Sequence, residues 1–484
     1  MSEELGETKP FRLQSLLLYL LMVGGTAGIF YAINTQGLTL QAPAYETTSG
    51  IAKFGQDAEG SKKVDAILHV LLALVAVVIT GRLFGALFAK FKQPPVIGEV
   101  IAGIFLGPSI LGRLSPETSA YVLPPSVAPY LGIIAQLGVI LYMFMVGLEL
   151  NASMLKKRAH ATVAISHSSI IAPFILGSTL ALLLYPRVAT NDVPFTSFAL
   201  FLGVAMSITA FPVLARILTD RKMSKTPLGT MALVCAATDD VTAWCLLALV
   251  VGFSKAKVGA AFWVVALTAA YIAFMFFVAR PLIAKLSKRV GEGQVSQSLL
   301  AFIFVLMLLS SLATEYIGIH AIFGAFLLGV IIPHDSALAR EFTNKLNDLV
   351  TVLLLPAFFA FTGMRTQIGL LSGWEAWALC GLIILVATVG KFGGTFTAAR
   401  ITGLGWKESA ALGILMNTRG LVELVVLNIG LDLKVISPTL FAMMVLMAVV
   451  TTMATTPILE MLVKPPEEPP PPAEKVPELA LENR

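Results

Sequence analysis

The most regular feature of the chain is a series of long apolar runs separated by short charged or Pro/Gly-rich stretches. A bilayer core of about 30 Å is crossed by a helix of roughly 20 apolar residues. Runs of about this size lie near residues 13–34, 65–89, 95–112, 128–148, 160–185, 195–216, 228–252, 258–280, 298–314, 317–333, 346–364, 375–398, 408–430 and 437–463. The stretch 298–333 would be about 54 Å long as one helix, so we divide it at residues 314–316 into a tight hairpin. The pattern predicts an all-α polytopic membrane protein with about 13 to 14 transmembrane helices.

The composition leaves too little polar surface for a water-soluble protein of this size. Of the 484 residues, 57% are hydrophobic and 13% are charged, and the mean hydropathy is +0.84. A soluble enzyme, a nucleic-acid binder and a disordered scaffold are therefore excluded, and the lipid bilayer is the expected surrounding. The histidines and the three cysteines show no metal-ligand spacing, so the sequence predicts no cofactor.

The distribution of Lys and Arg between the loops predicts the orientation. One set of alternate loops carries 17 of these residues and the opposite set carries 9. By the positive-inside rule the first set is cytoplasmic, and fourteen spans place both termini on that side. We divide the chain into an extra N-terminal span with a long external loop (1–64), a transmembrane domain (65–463) and a Pro-rich, disordered cytoplasmic tail (464–484). The first run is also compatible with a signal peptide, although its acidic head and its length favour a retained span.

The strongest chemical signal is a pair of adjacent carboxylates, Asp239 and Asp240, near the middle of the run 228–252. Adjacent helix positions point about 100° apart, so the two acids face different surroundings. One can pair with a base while the other faces a water-filled cavity. A carboxylate that holds either a proton or a monovalent cation is the simplest exchange site. We therefore predict that Asp240 binds the cation and the proton, with Asp239 and Thr238 beside it. The alternative is that both acids are structural and are satisfied by buried bases.

Two bases and a third acid also lie at membrane depth. Lys391 is far inside the run 375–398, which makes it the natural ion-pair partner of Asp239; snorkelling of its ammonium to the cytoplasmic side is the alternative. Arg419 and Glu423 lie near the middle of the run 408–430.

Two predicted spans look like broken helices. In residues 207–213, Thr209, Phe211 and Pro212 stand inside an apolar run, and the proline removes a backbone hydrogen bond. In the run 408–430, Asn417 and Thr418 are followed by an arginine and a glycine. Unwound backbone at this depth is tolerated only against protein or a wet cavity. Each broken span is next to a span with a buried charge, which indicates two inverted repeats that cross at the membrane midplane.

These motifs closely resemble the cation:proton antiporter superfamily, especially its second branch, which includes plant cation/proton exchangers and bacterial potassium or sodium/proton antiporters. The resemblance extends from about residue 67 to residue 463. Its most specific segments are 93–99 (QPPVIGE), 106–109 (LGPS), 147–150 (GLEL), 238–240 (TDD), 390–391 (GK) and 415–424 (LMNTRGLVEL).

The resemblance implies a homodimer, with a dimerisation domain and a six-helix core domain that moves like an elevator. It implies that Asp240 is the ion- and proton-binding carboxylate, that Asp239 pairs with Lys391, and that residues 209–212 and 417–420 are the crossing breaks. The expected function is exchange of Na⁺ or K⁺ for H⁺ across a membrane, such as the bacterial inner membrane. Many potassium-linked relatives have Gln where Asp239 stands, whereas residues 411–460 look most like the plant exchangers, so the ion stays open.

Three alternatives belong to other classes. A cation channel would need a filter of repeated carbonyls such as T-V-G-Y-G, which the sequence lacks. An H⁺-coupled symporter could use the same acids. An intramembrane aspartyl protease would need two catalytic aspartates from different helices, whereas Asp239 and Asp240 are adjacent.

Overall fold

The computed structural model describes residues 13–43, 66–149, 159–190, 193–224, 226–255, 258–290 and 295–463. All regular structure in these residues is helical. The helices are α1 (Leu13–Gly37), α2 (Ala66–Lys90), α3 (Pro95–Leu106), α4 (Leu111–Leu114), α5 (Pro116–Val122), α6 (Ala128–Glu149), α7 (Ala159–Val188), α8 (Phe195–Ser207), α9 (Phe211–Asp220), α10 (Pro227–Lys255), α11 (Val258–Phe274), α12 (Arg280–Val290), α13 (Gln297–Ile317), α14 (Ala321–Ile331), α15 (Ala337–Leu349), α16 (Leu355–Arg365), α17 (Gly373–Ile401), α18 (Trp406–Met416), α19 (Leu421–Asp432) and α20 (Pro438–Leu462). The predicted tail and residues 44–65 of the predicted external loop lie outside the described residues.

Each of the fourteen predicted runs corresponds to a helix, a broken helix or two helices joined in line. Nine helical segments of the described chain are long and apolar enough to cross a bilayer, and the apolar helices α8 and α14 are shorter. The prediction of an all-α polytopic membrane protein is confirmed. Two details differ. The hairpin turn comes after Ile317, at Gly318, whose φ of 97° suits a residue without Cβ. The helical segment that contains the predicted run 346–364 begins earlier, at Ala337, because a π-helical stretch joins α15 to α16.

Six helices, α2, α3, α6, α13, α14 and α16, pack against one another and are called the scaffold group here. Their backbones approach closely at glycines, as is common between membrane helices. A Cβ on Gly103 would lie 2.3 Å from the carbonyl oxygen of Ala360, and one on Gly147 would lie 2.4 Å from that of Phe326. These contacts hold α3 against α16 and α6 against α14, so the scaffold group is a tightly packed unit.

The second group, called the core group here, contains α7 to α10 and α17 to α20. It consists of two units of the same order: a long helix, a broken helix and another long helix. Six crossings separate α7 from α17 along the chain, so the two units run through the membrane in opposite directions. The extra helix α1 packs on α7 and α8. The predicted inverted repeats therefore correspond to the core group, which is arranged around its two breaks.

Besides apolar packing, polar contacts join the scaffold and core groups near both ends of the helices. At one end, Arg365 on α16 donates hydrogen bonds to Asn428 Oδ1 at 2.9 Å and to Asp432 Oδ1 at 2.5 Å, both on α19. At the opposite end, Gln93 between α2 and α3 donates to the carbonyl oxygen of Met453 on α20 at 3.2 Å. These hydrogen bonds are cheaper to separate than interlocked apolar packing, because water can replace them.

Candidate ion-binding site

The two broken helices cross at the centre of the core group. Three nonhelical residues separate α8 from α9, and four separate α18 from α19. The amide of Ala210 donates to the carbonyl oxygen of Thr418 at 3.0 Å, and the hydroxyl of Thr209 lies 3.2 Å from the carbonyl oxygen of Met416. Four helix ends therefore meet at one place. Two of them present amides and two present carbonyls that have no partner within their own helix. Such ends carry partial charges that can interact with ions at membrane depth.

The sequence explains both breaks. Pro212 stands in the first turn of α9, where its missing N–H removes no intrahelical bond. Asn417 follows the last residue of α18, and Gly420 precedes α19 in an extended conformation. Of the residues predicted to form the breaks, Thr209, Asn417 and Thr418 lie in the nonhelical segments, and Phe211 and Pro212 are the first two residues of α9.

Asp239 on α10 is completely buried and accepts hydrogen bonds from four side chains. Oδ1 accepts from the hydroxyl of Ser166 at 2.6 Å. Oδ2 accepts from the hydroxyls of Ser169 at 2.6 Å and Thr209 at 3.0 Å, and from Nζ of Lys391 at 3.0 Å. The hydroxyls of Ser169 and Thr209 each also lie within reach of a carbonyl oxygen. These two hydroxyls can direct their single proton to either acceptor, whereas the ammonium of Lys391 can only donate, which suits an ionised carboxylate at Asp239.

Lys391 on α17 is also completely buried, so its ammonium does not snorkel to a membrane surface. Besides Asp239, Nζ donates to the carbonyl oxygens of Ser169 at 3.0 Å and Ser207 at 2.5 Å. Ser207 is the last residue of α8, where carbonyl groups lack an intrahelical partner. Lys391 thus joins three elements: α7, the end of α8, and α10.

Arg419 and Glu423 form a second buried ion pair within the other break. Nη1 of Arg419 lies 2.6 Å from Oε2 of Glu423, and both side chains are completely buried. The guanidinium also donates to the carbonyl oxygens of Ala205 at 3.1 Å and Met206 at 2.7 Å. A cation at these carbonyls is favourable because the C-terminal end of a helix carries partial negative charge.

Asp240 differs from the other buried charges at the crossing. Its side chain is 1% exposed, and neither carboxylate oxygen completes a hydrogen bond with any described residue. The charges of Asp239 and Lys391, and the amide of Phe211 at the start of α9, act on it electrostatically. A buried polar group without a partner is costly, so such a group in a native site calls for a ligand or a proton.

The remaining predicted neighbours contribute less. The hydroxyl of Thr238 donates to the carbonyl oxygen of Val234 one turn earlier on α10, so only its lone pairs are free for a cation. Thr418 Oγ1 lies 3.5 Å from Thr455 Oγ1. Oδ1 of Asn417 is buried and has no hydrogen-bond partner in the described part of the chain, which makes it a second oxygen acceptor beside the breaks.

The sequence interpretation missed Ser166 and Ser169. They lie three residues apart on α7, on the face that packs against α10. A pair of hydroxyls at this spacing within an apolar span was the available signal. Serines in membrane helices often bond to their own backbone, however, so the spacing alone does not predict a carboxylate partner.

The described residues contain no cluster of three His, Cys, Asp or Glu side chains that could hold a metal ion. The oxygens at the crossing, from carboxylate, amide and hydroxyl groups, suit a hard monovalent cation as cargo.

Comparison with known proteins identifies the family. The sequence profile of the sodium/hydrogen exchanger transmembrane family matches residues 58–464. The chain is 45% identical over 388 residues to the Na⁺/H⁺ antiporter NhaS4 of Synechocystis sp., which covers 80% of this chain and 95% of that relative. It is 38% identical to cation/H⁺ antiporter 17 of Arabidopsis thaliana, covering 86% of this chain and 50% of the plant protein. It is 35% identical to K⁺/H⁺ antiporter 1 of Saccharomyces cerevisiae, covering 75% of this chain and 42% of the yeast protein. The chain thus spans about half the length or less of the plant and yeast relatives.

A solved structure shares the fold. The sodium proton antiporter MjNhaP1 from Methanocaldococcus jannaschii matches 82% of this chain and 96% of its own chain with a TM-score of 0.60, at 15% sequence identity. The profile match extends over both helix groups and both breaks. This chain is a multi-pass membrane transporter of the sodium/hydrogen exchanger family.

Proposed function

We propose that this protein exchanges a monovalent cation, Na⁺ or K⁺, for H⁺, and that Asp240 binds both in turn. The observation that carries the proposal is the contrast between the two adjacent acids: Asp239 lies within hydrogen-bond distance of one ammonium and three hydroxyls, whereas neither oxygen of the buried Asp240 completes a hydrogen bond with a described residue. Relatives named as Na⁺/H⁺, K⁺/H⁺ and cation/H⁺ antiporters support the same reaction.

Exchange follows from the energetics of a buried carboxylate. An empty, ionised Asp240 is an uncompensated charge in a low-dielectric environment, which is strongly unfavourable. A bound cation or a bound proton each removes that charge, and the two exclude each other because they use the same oxygens. Protonation therefore expels the cation, and cation binding releases the proton to water.

The arrangement of the helix groups supports alternating access. The four other buried charges at the crossing, those of Asp239, Lys391, Arg419 and Glu423, all belong to the core group, and polar contacts join the core group to the scaffold group near both ends of the helices. We propose that the core group moves as a unit against the scaffold group, like an elevator. We also propose a homodimer formed through the scaffold group, in an energised membrane such as the bacterial inner membrane, with the C-terminus in the cytoplasm.

Exchange can be measured in proteoliposomes with a trapped pH dye while Na⁺, K⁺, Li⁺ and Rb⁺ are added in turn. Addition of the transported ion should move protons in wild-type vesicles, and Asp240→Asn should abolish the signal. Asp348→Asn is the matched control, because Asp348 is an exposed acid on α15 and exchange should be unaffected. Near-normal cation-dependent proton movement by Asp240→Asn would refute the proposal.

A further inference from the structure

A cavity of about 430 Å³ lies in the scaffold group, at the end opposite the loop that holds Lys90 and Lys92. It is enclosed by the end of α3, the short helices α4 and α5, and the loop that follows α16. Most of its walls are apolar, among them Leu106, Leu123 and Met364. The crossing of the broken helices contributes no residue to it. The cavity is therefore separate from the candidate ion-binding site, and its size is within the range of small-molecule sites.

Hydrogen bonds fix the walls of this cavity. Ser109, between α3 and α4, donates to the carbonyl oxygen of Thr366 at 2.9 Å and accepts from the amide of Ile368 at 3.0 Å. On the other side of the cavity, the carbonyl oxygen of Tyr121 on α5 lies 2.7 Å from Nδ1 of His69 on α2. The cavity is thus a formed part of the scaffold group, held between segments that are far apart in the sequence.

Arg113, on α4, is the charged residue in the wall of the cavity. Its guanidinium lies against the backbone of Gly369, where a Cβ would collide with Nη2. The guanidinium forms no hydrogen bond, ion pair or cation–π contact with a described residue, including Glu117, the nearest acid along the chain. A guanidinium has five N–H donors in a planar fork that matches a phosphate or a carboxylate. The cavity therefore combines apolar walls with an uncompensated cation.

Exposed apolar side chains indicate that the cavity lies at the surface of the bilayer. Leu114 at the end of α4 is 76% exposed, and Tyr121 on α5 is 62% exposed. Tyrosine is common at the level of the lipid headgroups, where its ring contacts apolar chains and its hydroxyl contacts water. The neighbouring helices α2 and α6 begin at the same end and are long enough to cross a bilayer. A molecule that reaches the cavity at this level from the membrane is a lipid.

We propose that this cavity binds one anionic phospholipid, with the guanidinium of Arg113 on its phosphate. The phosphate oxygens accept from the donors of the fork, and the net negative charge of the lipid complements the uncompensated cation. The apolar walls contact the first carbons of an acyl chain, and Ser119 and Gln367 bring polar groups to the same cavity. The proposal concerns the scaffold group and does not rest on the proposed function of Asp240.

The bound lipid would lie beside a contact between the two helix groups. Met364 lines the cavity, and the next residue, Arg365, donates to Asn428 and Asp432 on α19. A lipid in the cavity therefore packs against the end of α16 that carries this contact. Because the cavity exists only in the folded protein, bound lipid should stabilise the native state by mass action.

Binding can be measured by thermal unfolding of the full chain in a mild detergent during titration with short-chain lipids. Dioctanoyl phosphatidylglycerol, which is anionic, should raise the unfolding temperature to a plateau. Zwitterionic dioctanoyl phosphatidylcholine should bind more weakly, and glycerol 3-phosphate, which lacks acyl chains, should give no shift at the same concentrations. Equal affinities for the two lipids would overturn the selection of an anion. A shift with glycerol 3-phosphate as large as that with phosphatidylglycerol would overturn the assignment to a lipid.

Two substitutions separate the charge from the cavity. Arg113→Gln removes the cation from an exposed side chain, so the affinity for phosphatidylglycerol should fall by about tenfold or more. Ala120→Phe keeps Arg113 and places a ring in the cavity, so it should weaken binding as well. Arg187→Gln is the matched control, because Arg187 lies at the same end of the bundle, outside the cavity, and pairs with Glu375. Its titration should be unchanged.

The variants can also refute the proposal. If Arg113→Gln bound phosphatidylglycerol with wild-type affinity, the guanidinium would not be the phosphate ligand. If Arg113→Gln weakened binding and a folded Ala120→Phe did not, the lipid would bind outside the cavity. Should Ala120→Phe fail to fold, the comparison of the two lipids with glycerol 3-phosphate on the wild-type protein still tests whether an acyl chain and a net negative charge are both required.

Discussion

Replacement of Lys391 by methionine should be among the most destabilising single changes in the chain. The apolar side chain has a similar length, so little space is lost, but Asp239 keeps its charge without a counter-ion. The carbonyl oxygens of Ser169 and Ser207 lose their donor as well. Breaking a buried pair by removal of one partner typically costs about 3–5 kcal/mol, and each orphaned acceptor adds about 1–3 kcal/mol. With two orphaned carbonyls, we expect Lys391→Met to cost about 5 kcal/mol or more.

The complementary change, Asp239→Asn, leaves a buried ammonium with two carbonyl partners and should also cost a few kcal/mol. The double variant carries neither charge. Its loss should be well below the sum of the single losses, because the uncompensated charge that dominates each single variant is absent. We expect a coupling free energy of about 3 kcal/mol or more, since neither side chain is exposed to water that would screen the pair.

The coupling can be measured by reversible SDS titration of the four purified proteins in mixed micelles. The exposed pair Lys345–Glu341, whose Nζ–Oε1 distance is 3.2 Å, provides the control cycle. An exposed pair of this kind contributes about 0–1 kcal/mol, so Lys345→Met and Glu341→Gln should show little coupling. Strictly additive losses for Asp239→Asn and Lys391→Met would refute the argument that the two charges hold each other in place.

Three further results are expected from other parts of the structure. Arg419→Met should destabilise the protein more than Glu423→Gln, because it also leaves two α8 carbonyls unpaired; equal losses in thermal unfolding would contradict this. Arg365→Gln and Asp432→Asn should each change the exchange rate, and the effects of the two should be non-additive in a double-mutant cycle, since the side chains join the scaffold and core groups. Where protons compete with the cation for Asp240, the apparent Michaelis constant for the cation should rise by up to about tenfold for each unit by which the pH falls. This constant can be measured from about pH 6 to 9. A constant that stays flat or falls on acidification would exclude simple competition.

The fold could be predicted from the sequence because its main signal is the length of apolar runs, which the bilayer fixes. The same signal carries no information about where a turn falls inside a continuous apolar stretch. The chain therefore reverses at Gly318 instead of residues 314–316, where the polar side chain of Glu315 suggested the turn. Glu315 instead accepts a hydrogen bond from the amide of Ala321 across the turn, so its polarity serves the start of the next helix.

The predictable part of the site consists of charged residues, which are rare at membrane depth. Asp239, Asp240 and Lys391 are conspicuous because charges are expensive there. Ser166 and Ser169 are inexpensive in an apolar helix and therefore carry no such signal. Their role depends on the packing of α7 against α10, which brings residues about 70 positions apart to 2.6 Å, and no local pattern encodes that contact.

The distribution of charges at the crossing follows the dipoles of the broken helices. The end of α8 presents carbonyl oxygens, and both buried bases donate to it, Arg419 to Ala205 and Met206 and Lys391 to Ser207. The start of α9 presents amides, and that of Phe211 acts on Asp240. A helix end has only partial charge, equivalent to about half an elementary charge, so the amides of α9 cannot neutralise a carboxylate. In the proposed mechanism, a base hydrogen-bonded to Asp240 would take the place of the cation, and no described residue forms such a bond with either carboxylate oxygen.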